Sequence, residues 1–200
     1  MKKEKTKKTI DPQNLPNTSE LETELKREQY KKAYGSTLRN TIYILITVAA
    51  SAVLIATLFL PIFRIYGSSM SPTLEEGDIV VSLKTSKYEK GDLIAFYYNN
   101  KLLVKRVIAT PGEWVDIDLN GNVYVNNQLL NEPYLIDKAY GECNIDLPFQ
   151  VPEGRVFVMG DHRSVSLDSR VQSIGCISEE MMAGKLALRI WPLNRLHIVQ

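Results

Sequence analysis

Hydrophobic positions fall into two regimes along this chain. From Thr41 to Leu60 it reads TIYILITVAASAVLIATLFL, twenty residues without a charge. At about 1.5 Å per residue, a helix of that length spans roughly 30 Å, the thickness of a bilayer's hydrocarbon core. The stretch therefore predicts one transmembrane helix. Buried core helices are usually shorter, and a cleavable signal peptide carries an apolar region of about 7–15 residues near the N-terminus. Here forty residues come first, as an uncleaved signal anchor would have them. After Arg64 the pattern alternates with period two in DIVVSL, DLIAFYY, KLLVKRVIA, EWVDIDL, NVYVNNQLL, RVFVMG and KLALRIW, with Gly, Asn, Pro and Asp between them. These segments predict strands. Asn120-Gly121 is the strongest hairpin signal, and Gly77-Asp78 and Gly91-Asp92 each open a strand after a turn. The expected fold class is mainly β: a single N-terminal transmembrane helix followed by one compact β domain. The 137 residues from Arg64 onward suffice for one hydrophobic core, with no repeat and no second domain.

Charge adds direction to this picture. The chain holds 24 Lys and Arg against 23 Asp and Glu, with 2 His, which argues against a nucleic-acid binder and against a His-rich metal site. The balance is uneven along the chain: 10 basic and 6 acidic residues lie in 1–40, and 14 against 17 lie in 64–200. Three parts are expected: 1–40 a basic, partly disordered tail, 41–60 the anchor, and 61–200 the folded domain. Lys26, Arg27, Lys31, Lys32 and Arg39 crowd one flank of the apolar run, while Arg64 stands alone on the other, so the tail should be cytoplasmic and the domain extracytoplasmic. The opening MKKEKTKKTIDPQNLPN reads as disordered. From Ser19 a capping-box pair with Glu22, and the pairs Glu22–Lys26 and Glu28–Lys32, predict a solvated helix leading toward the membrane. Cys143 and Cys176 both fall on the outer side, where a bridge is chemically permitted, but their 33-residue separation fixes nothing about pairing.

Three segments concentrate residues that packing does not require: Gly67–Leu74, Val104–Val107 and Gly160–Arg170. Lys105 is distinctive among the seven lysines of the domain because both faces of LLVKRVIA are largely apolar. Desolvation disfavours its charged form and can leave a neutral amine able to accept a proton, although an edge-strand lysine can instead reach water. A serine hydroxyl needs such a base to become a nucleophile, and Ser-Lys is one recognised arrangement. His162, beside Asp161 and near Asp168, is the competing base, although the G-x-S-x-G elbow is absent around Ser69. Asp161, Asp168, Arg163 and Arg170 also read as ion pairs that stitch a polar loop.

In this order and behind an anchor, the three segments resemble those of bacterial type I signal peptidases, compact Gram-positive-like type, over roughly Phe63 to Pro192. Ser69-Met70-Ser71-Pro72-Thr73-Leu74 is similar to the family's S-M-x-P-T-L box. Lys105-Arg106-Val107 with Pro111-Gly112-Glu113 is similar to its K-R-V…P-G-D/E box. Gly160-Asp161-His162-Arg163 with Ser166-Leu167-Asp168-Ser169-Arg170 is similar to its G-D-N-R…S-x-D-S-R box, with His162 in place of the usual asparagine. The resemblance implies a membrane-bound serine endopeptidase that removes signal peptides from secreted preproteins. Ser69 would be nucleophile and Lys105 general base, with Ser166, Asp168 and Arg170 in support. Phe63, Ile65, Met70, Leu74 and Val104 would line pockets for the small residues of an A-x-A-like site. It implies no metal or organic cofactor, and as partners membrane lipids and the secretion translocon besides the preproteins. Gly67 stands where some members carry an oxyanion-binding serine, leaving the Ser69 N–H as one donor. Two other readings are a tethered β domain that binds without cutting, as a degenerate paralogue would, and a peptidase dedicated to one precursor such as a pilin.

Overall fold

The structure, a computed structural model, describes residues 17–85 and 87–199. The stretch expected to be disordered lies, apart from Asn17, outside the described residues. The described residues divide into two compact units, one up to Leu54 and one from Ile55 onward.

One helix, α1 (Thr18–Phe59), covers 42 residues and contains the whole predicted span except Leu60. It is long and apolar enough to cross a membrane, and none of its residues is buried. Thr41 and Thr47 donate their hydroxyls to the carbonyls of Thr37 and Tyr43 (2.9 and 2.8 Å). In hydrocarbon such internal bonding is what a polar side chain requires. The solvated helix expected from Ser19 is the first part of α1, but its start differs. Asn17 precedes the first turn, and the Glu20 carboxylate accepts the Asn17 N–H at 3.3 Å, so this pair takes the place expected of Ser19 and Glu22. The ion pairs present are Glu24–Arg27 (3.5 Å) and Glu28–Lys31 (3.1 Å), spaced by three rather than by the expected four, and all four side chains are exposed.

The second unit is mainly β, as the alternating pattern requires. Its strands are β1 (Ile62–Arg64), β2 (Ile79–Leu83), β3 (Leu93–Tyr98), β4 (Lys101–Ala109), β5 (Trp114–Ile117) and β6 (Val123–Val125). Then follow β7 (Gln128–Leu129), β8 (Phe149–Gln150), β9 (Arg155–Met159), β10 (Ile177–Ser178), β11 (Met182–Trp191) and β12 (His197–Ile198). One sheet has the order β1-β2-β11-β3-β4-β9-β10 with β12 on β11, and a smaller one the order β7-β6-β5-β8. Period two places Leu93 and Ala95 in a core cluster with Ile65, Met70, Leu74 and Val80, while Ile94 and Phe96 join Val107, Val156, Val158 and Ile177 in another. A third cluster joins Val115, Ile117, Val123 and Val125 of the small sheet to Ile108, Phe157 and Met159.

Two segments depart from the pattern. NVYVNNQLL is not one strand: the chain reverses at Asn126 and Asn127, whose φ of 51° and 63° suit a two-residue primed turn, and β6 pairs with β7. KLALRIW begins three residues late, since β11 starts at Met182 and its register shifts three times as it pairs with β2 and β3. The Asn120-Gly121 turn is a five-residue loop in which the Asp118 carboxylate accepts the N–H groups of Asn120 and Asn122 (2.9 and 2.8 Å). Gly121 has φ +78°, and a Cβ there would stand 2.6 Å from the Ala139 backbone. Gly121→Ala should cost more than about 1 kcal/mol, because strain and collision add; a fall in the denaturation midpoint checks it.

Candidate active site

Gly67, with φ +80°, turns the chain after β1 into the loop that carries Ser69. The Ser69 carbonyl accepts the His162 N–H (3.1 Å), which ties this loop to the segment 160–170. Lys105 lies on β4 opposite Ile94 of β3 and is 3% exposed. Its Nζ donates to Ser69 Oγ (2.8 Å) and to Ser166 Oγ (3.0 Å). Burial pushes the Lys105 amine down to about 8, against the attraction of Asp168 and Asp161 and helped by the repulsion of Arg170. An amine so depressed can take up a proton from the hydroxyl beside it near neutral pH.

The segment 160–170 is held from within. The Asp168 carboxylate accepts the Gly160 N–H (2.9 Å) and is gripped by Arg170 through Nε (2.8 Å) and Nη2 (2.9 Å). Arg170 also donates to the carbonyls of Tyr140 (2.6 Å), Arg163 (2.9 Å) and Ser166 (3.3 Å). Gly160 has no room for a side chain, since a Cβ would collide with Ser166 Oγ and with the Ser69 carbonyl. The three sequence segments thus meet at Ser69, Lys105, Gly160 and Ser166.

The ion pairs expected inside the polar loop are only partly there. Asp168 pairs with Arg170, but Asp161 pairs with Arg106 of β4, through Nε (2.9 Å) and Nη2 (2.8 Å), and Arg163 pairs with Glu132. Asp161 also accepts the Thr73 hydroxyl (2.5 Å), and Arg106 Nη1 donates to the Gly91 carbonyl (2.7 Å). Arg106, Glu132 and Tyr134 were not foreseen as site residues. Arg106 stood in view beside Lys105, whereas Asn-Glu-Pro-Tyr reads as an ordinary turn.

Beside Ser69 opens a cleft of about 650 Å³ lined by Phe63, Ile65, Met70 and Val104 among others. Of the five expected pocket residues, Leu74 alone does not line it; it is fully buried in the cluster behind Met70. Both long walls are strand edges. β1 ends its sheet, and β4 pairs with β9 only from Arg106 onward, so Lys101 to Lys105 have one side without a strand partner. His162 turns its ring to the Ser68 carbonyl (3.3 Å) and not to the Ser69 hydroxyl. Cys143 and Cys176 are free thiols, and burial raises the Cys176 thiol to about 11.

Comparison with known proteins gives this geometry a context. The family described as "Signal peptidase, peptidase S26" matches residues 38–191. The chain belongs to the signal peptidase family. It is similar to Signal peptidase IB of Staphylococcus aureus (strain COL), at 38% identity over 66% of this chain and 78% of the relative. It is also similar to Signal peptidase I of Bacillus licheniformis, at 34% identity over 76% of this chain and 88% of the relative. A crystal structure of a signal peptidase I from Enterococcus faecalis V583 aligns with 31% identity over 50% of this chain and 97% of that one, at a TM-score of 0.44. As a member of this family, the chain is a serine endopeptidase.

The lowered amine of this peptidase has a consequence for stability. Between about pH 8 and 10.5 the unfolded chain holds a proton that folded Lys105 has released, so stability rises with pH across that window. Lys105→Met should remove this rise and leave the protein about 2–3 kcal/mol more stable at pH 7. Denaturant midpoints of the two proteins at pH 7 and 9.5 check both statements.

Proposed function

We propose that this enzyme removes N-terminal signal peptides from exported preproteins after small-residue, A-x-A-like sites, with Ser69 as nucleophile and Lys105 as general base. The observation that supports it is the 2.8 Å hydrogen bond between Lys105 Nζ and Ser69 Oγ, made by an amine lowered to about 8. The neutral amine takes the Ser69 proton as Oγ bonds to the scissile carbonyl carbon. The Ser69 N–H faces the developing oxyanion. As the C–N bond breaks, the Lys105 ammonium returns that proton to the leaving amine of the mature protein. The signal peptide is left as an ester on Ser69. Lys105 then takes a proton from water, hydroxide attacks the ester, and Ser69 departs as it recovers the proton. Ser166 holds the amine on its second side, and Asp168 and Arg170 hold Ser166 through Gly160 and the loop backbone.

The substrate lies extended between the free edges of β1 and β4, its small residues set against Phe63, Ile65, Met70 and Val104 with Leu74 behind them. The cleft beside Ser69 is lined largely by apolar side chains, against which small residues can be set. Residues 1–40 are cytoplasmic, 41–60 span the membrane and 61–200 are extracytoplasmic, by the excess of Lys and Arg on the N-terminal flank. Anchored enzyme and membrane-held signal peptide then meet in two dimensions, among lipids and close to the translocon that delivers the preprotein.

The test uses the full chain in detergent with a preprotein bearing an A-x-A site, its products read by intact mass. A single cut after the small residues is expected, with a loss of about 10³-fold or more in Ser69→Ala and in Lys105→Ala. Full cleavage by Ser69→Ala would overturn the nucleophile. The plot of kcat/KM against pH should climb through about 8, where Lys105 loses its proton, and flatten above it. His162→Asn should keep activity within about threefold, since its ring meets only the Ser68 carbonyl; a loss as large as that of Lys105→Ala would move the base to the histidine.

A further inference from the structure

Lys105 and Ser166 stand on different elements, β4 and the segment 160–170, and the hydrogen bond between them needs those elements held at a fixed separation. Within the segment, Asp168 and Arg170 set its shape, but both belong to it and cannot register it against β4. One link is β9, which pairs with β4 up to Met159 opposite Arg106 and exchanges two hydrogen bonds between Val158 and Ser169, and another is Arg106 to Asp161. A third comes from outside all three sequence segments. The loop between β7 and β8 sends two side chains inward from positions 132 and 134.

The Glu132 side chain is buried and paired with Arg163, accepting from Nη1 (3.2 Å) and from Nη2. Arg163 uses its Nε on the Gly160 carbonyl (3.1 Å), and its own carbonyl accepts Arg170 Nη2 (2.9 Å). Tyr134 lies with its ring 3.9 Å from the Arg106 guanidinium, and its hydroxyl donates to Glu132 Oε1 (3.0 Å). One arm of this loop therefore holds the segment that carries Ser166, the other holds the strand that carries Lys105, and a hydrogen bond joins the arms. Surface turns do not bury a carboxylate merely for solubility, because an ion taken from water is tolerated only where partners replace its hydration.

We propose that Glu132 and Tyr134 form a clasp that registers the 160–170 segment against β4, making Glu132 a positioning residue for the contact of Lys105 with Ser166 and Ser69. Glu132 touches neither substrate nor dyad. It acts through Arg163 on Gly160, which packs without clearance on Ser166 Oγ and the Ser69 carbonyl. A displacement of about 1 Å at a reacting group can cost on the order of a hundredfold in rate, so a loosened clasp should be visible in kcat. The charged groups acting on Lys105 are Asp168, Arg170 and Asp161, all in the clasped segment. Its loosening lets water reach the amine, and the rise of kcat/KM with pH should move upward from about 8.

The proposal rests on Lys105 serving as base toward Ser69, and the Ser69→Ala control keeps the two apart: cleavage that survives it defeats that reading, whatever Glu132 does. Two variants of the full-length enzyme decide the clasp. Glu132→Gln keeps the shape and removes the charge; it should lower kcat between about ten- and a hundredfold, leave KM within twofold, and shift the pH profile upward. It also leaves Arg163 buried without its partner, so a fall in Tm is expected. The double variant Glu132→Gln with Arg163→Met buries no orphan charge and should regain Tm. Its kcat should stay low, because nothing then holds the Gly160 carbonyl. A folded Glu132→Gln enzyme with unchanged kcat and pH profile would overturn the proposal. So would a double variant that recovers wild-type kcat, which would mean that Glu132 serves folding alone; that arm decides the matter if the single variant is too unstable to assay.

Discussion

An amine 3% exposed has to find a carboxylate or hold its proton less tightly. The other buried cations of the domain take the first course: Arg106 has Asp161, Arg163 has Glu132, and Arg170 has Asp168. Among the described residues, Lys105 is hydrogen-bonded only to two hydroxyls, on Ser69 and Ser166. Asp168 and Asp161 act on it from a distance and do not offset its burial. Its depressed affinity for a proton is therefore a property of the packing, and lasts only as long as the packing holds. The pairing of the three arginines is the other side of the same constraint. Were any carboxylate missing, an unpaired buried charge would compete for the space that keeps water from Lys105.

The long-range ties follow from that requirement. Ser69 is carried by a loop after an edge strand, Lys105 by an interior strand, and Ser166 by an irregular segment that follows β9. Backbone pairing fixes Lys105 through β3 and sets β9 beside β4 as far as Met159, but the ladder does not fix the two loops beyond it. Side chains and single backbone bonds do so instead: His162 N–H on the Ser69 carbonyl, Asp161 on Arg106 and Thr73, and the Gly160 N–H on Asp168. Gly160 sits where these ties cross, and its missing side chain lets two loops touch.

What the sequence made legible divides along the range of the interactions. Period-two alternation is local, so β2, β3, β4, β5, β9 and most of β11 could be read from it. The run of uncharged residues at 41–60 was equally plain, since a span is defined by its own composition. NVYVNNQLL failed because alternation and a two-residue Asn-Asn turn coexist in nine residues, and the left-handed φ of Asn126 and Asn127 is the deciding fact. At the site, an apolar setting for Lys105 could be inferred from its neighbours along β4. The Asp168–Arg170 pair, two positions apart, could be read as well, but the partners of Arg106 and Arg163 could not. Asp161 reaches Arg106 across 55 positions and Glu132 reaches Arg163 across 31, so spacing along the chain carried no trace of either pair, and the expectation kept Asp161 and Arg163 within their own loop.

Burying three ion pairs and a lysine with no carboxylate partner is a poor way to make a domain stable. Each ion gives up several kcal/mol of hydration, and apolar side chains of equal volume would often serve stability as well or better. The arrangement has a different merit. An apolar core tolerates small slides, because dispersion contacts are non-directional, whereas a bidentate guanidinium and carboxylate fix separation and angle together. In the mechanism proposed above, a proton passes from a serine oxygen to a lysine nitrogen while a substrate is admitted and two products leave, and a misplacement of about 1 Å would already cost on the order of a hundredfold. The stability given up at Lys105 and the directional bonds around it thus belong to one design, in which the domain's most polar interior lies where its geometry must yield least.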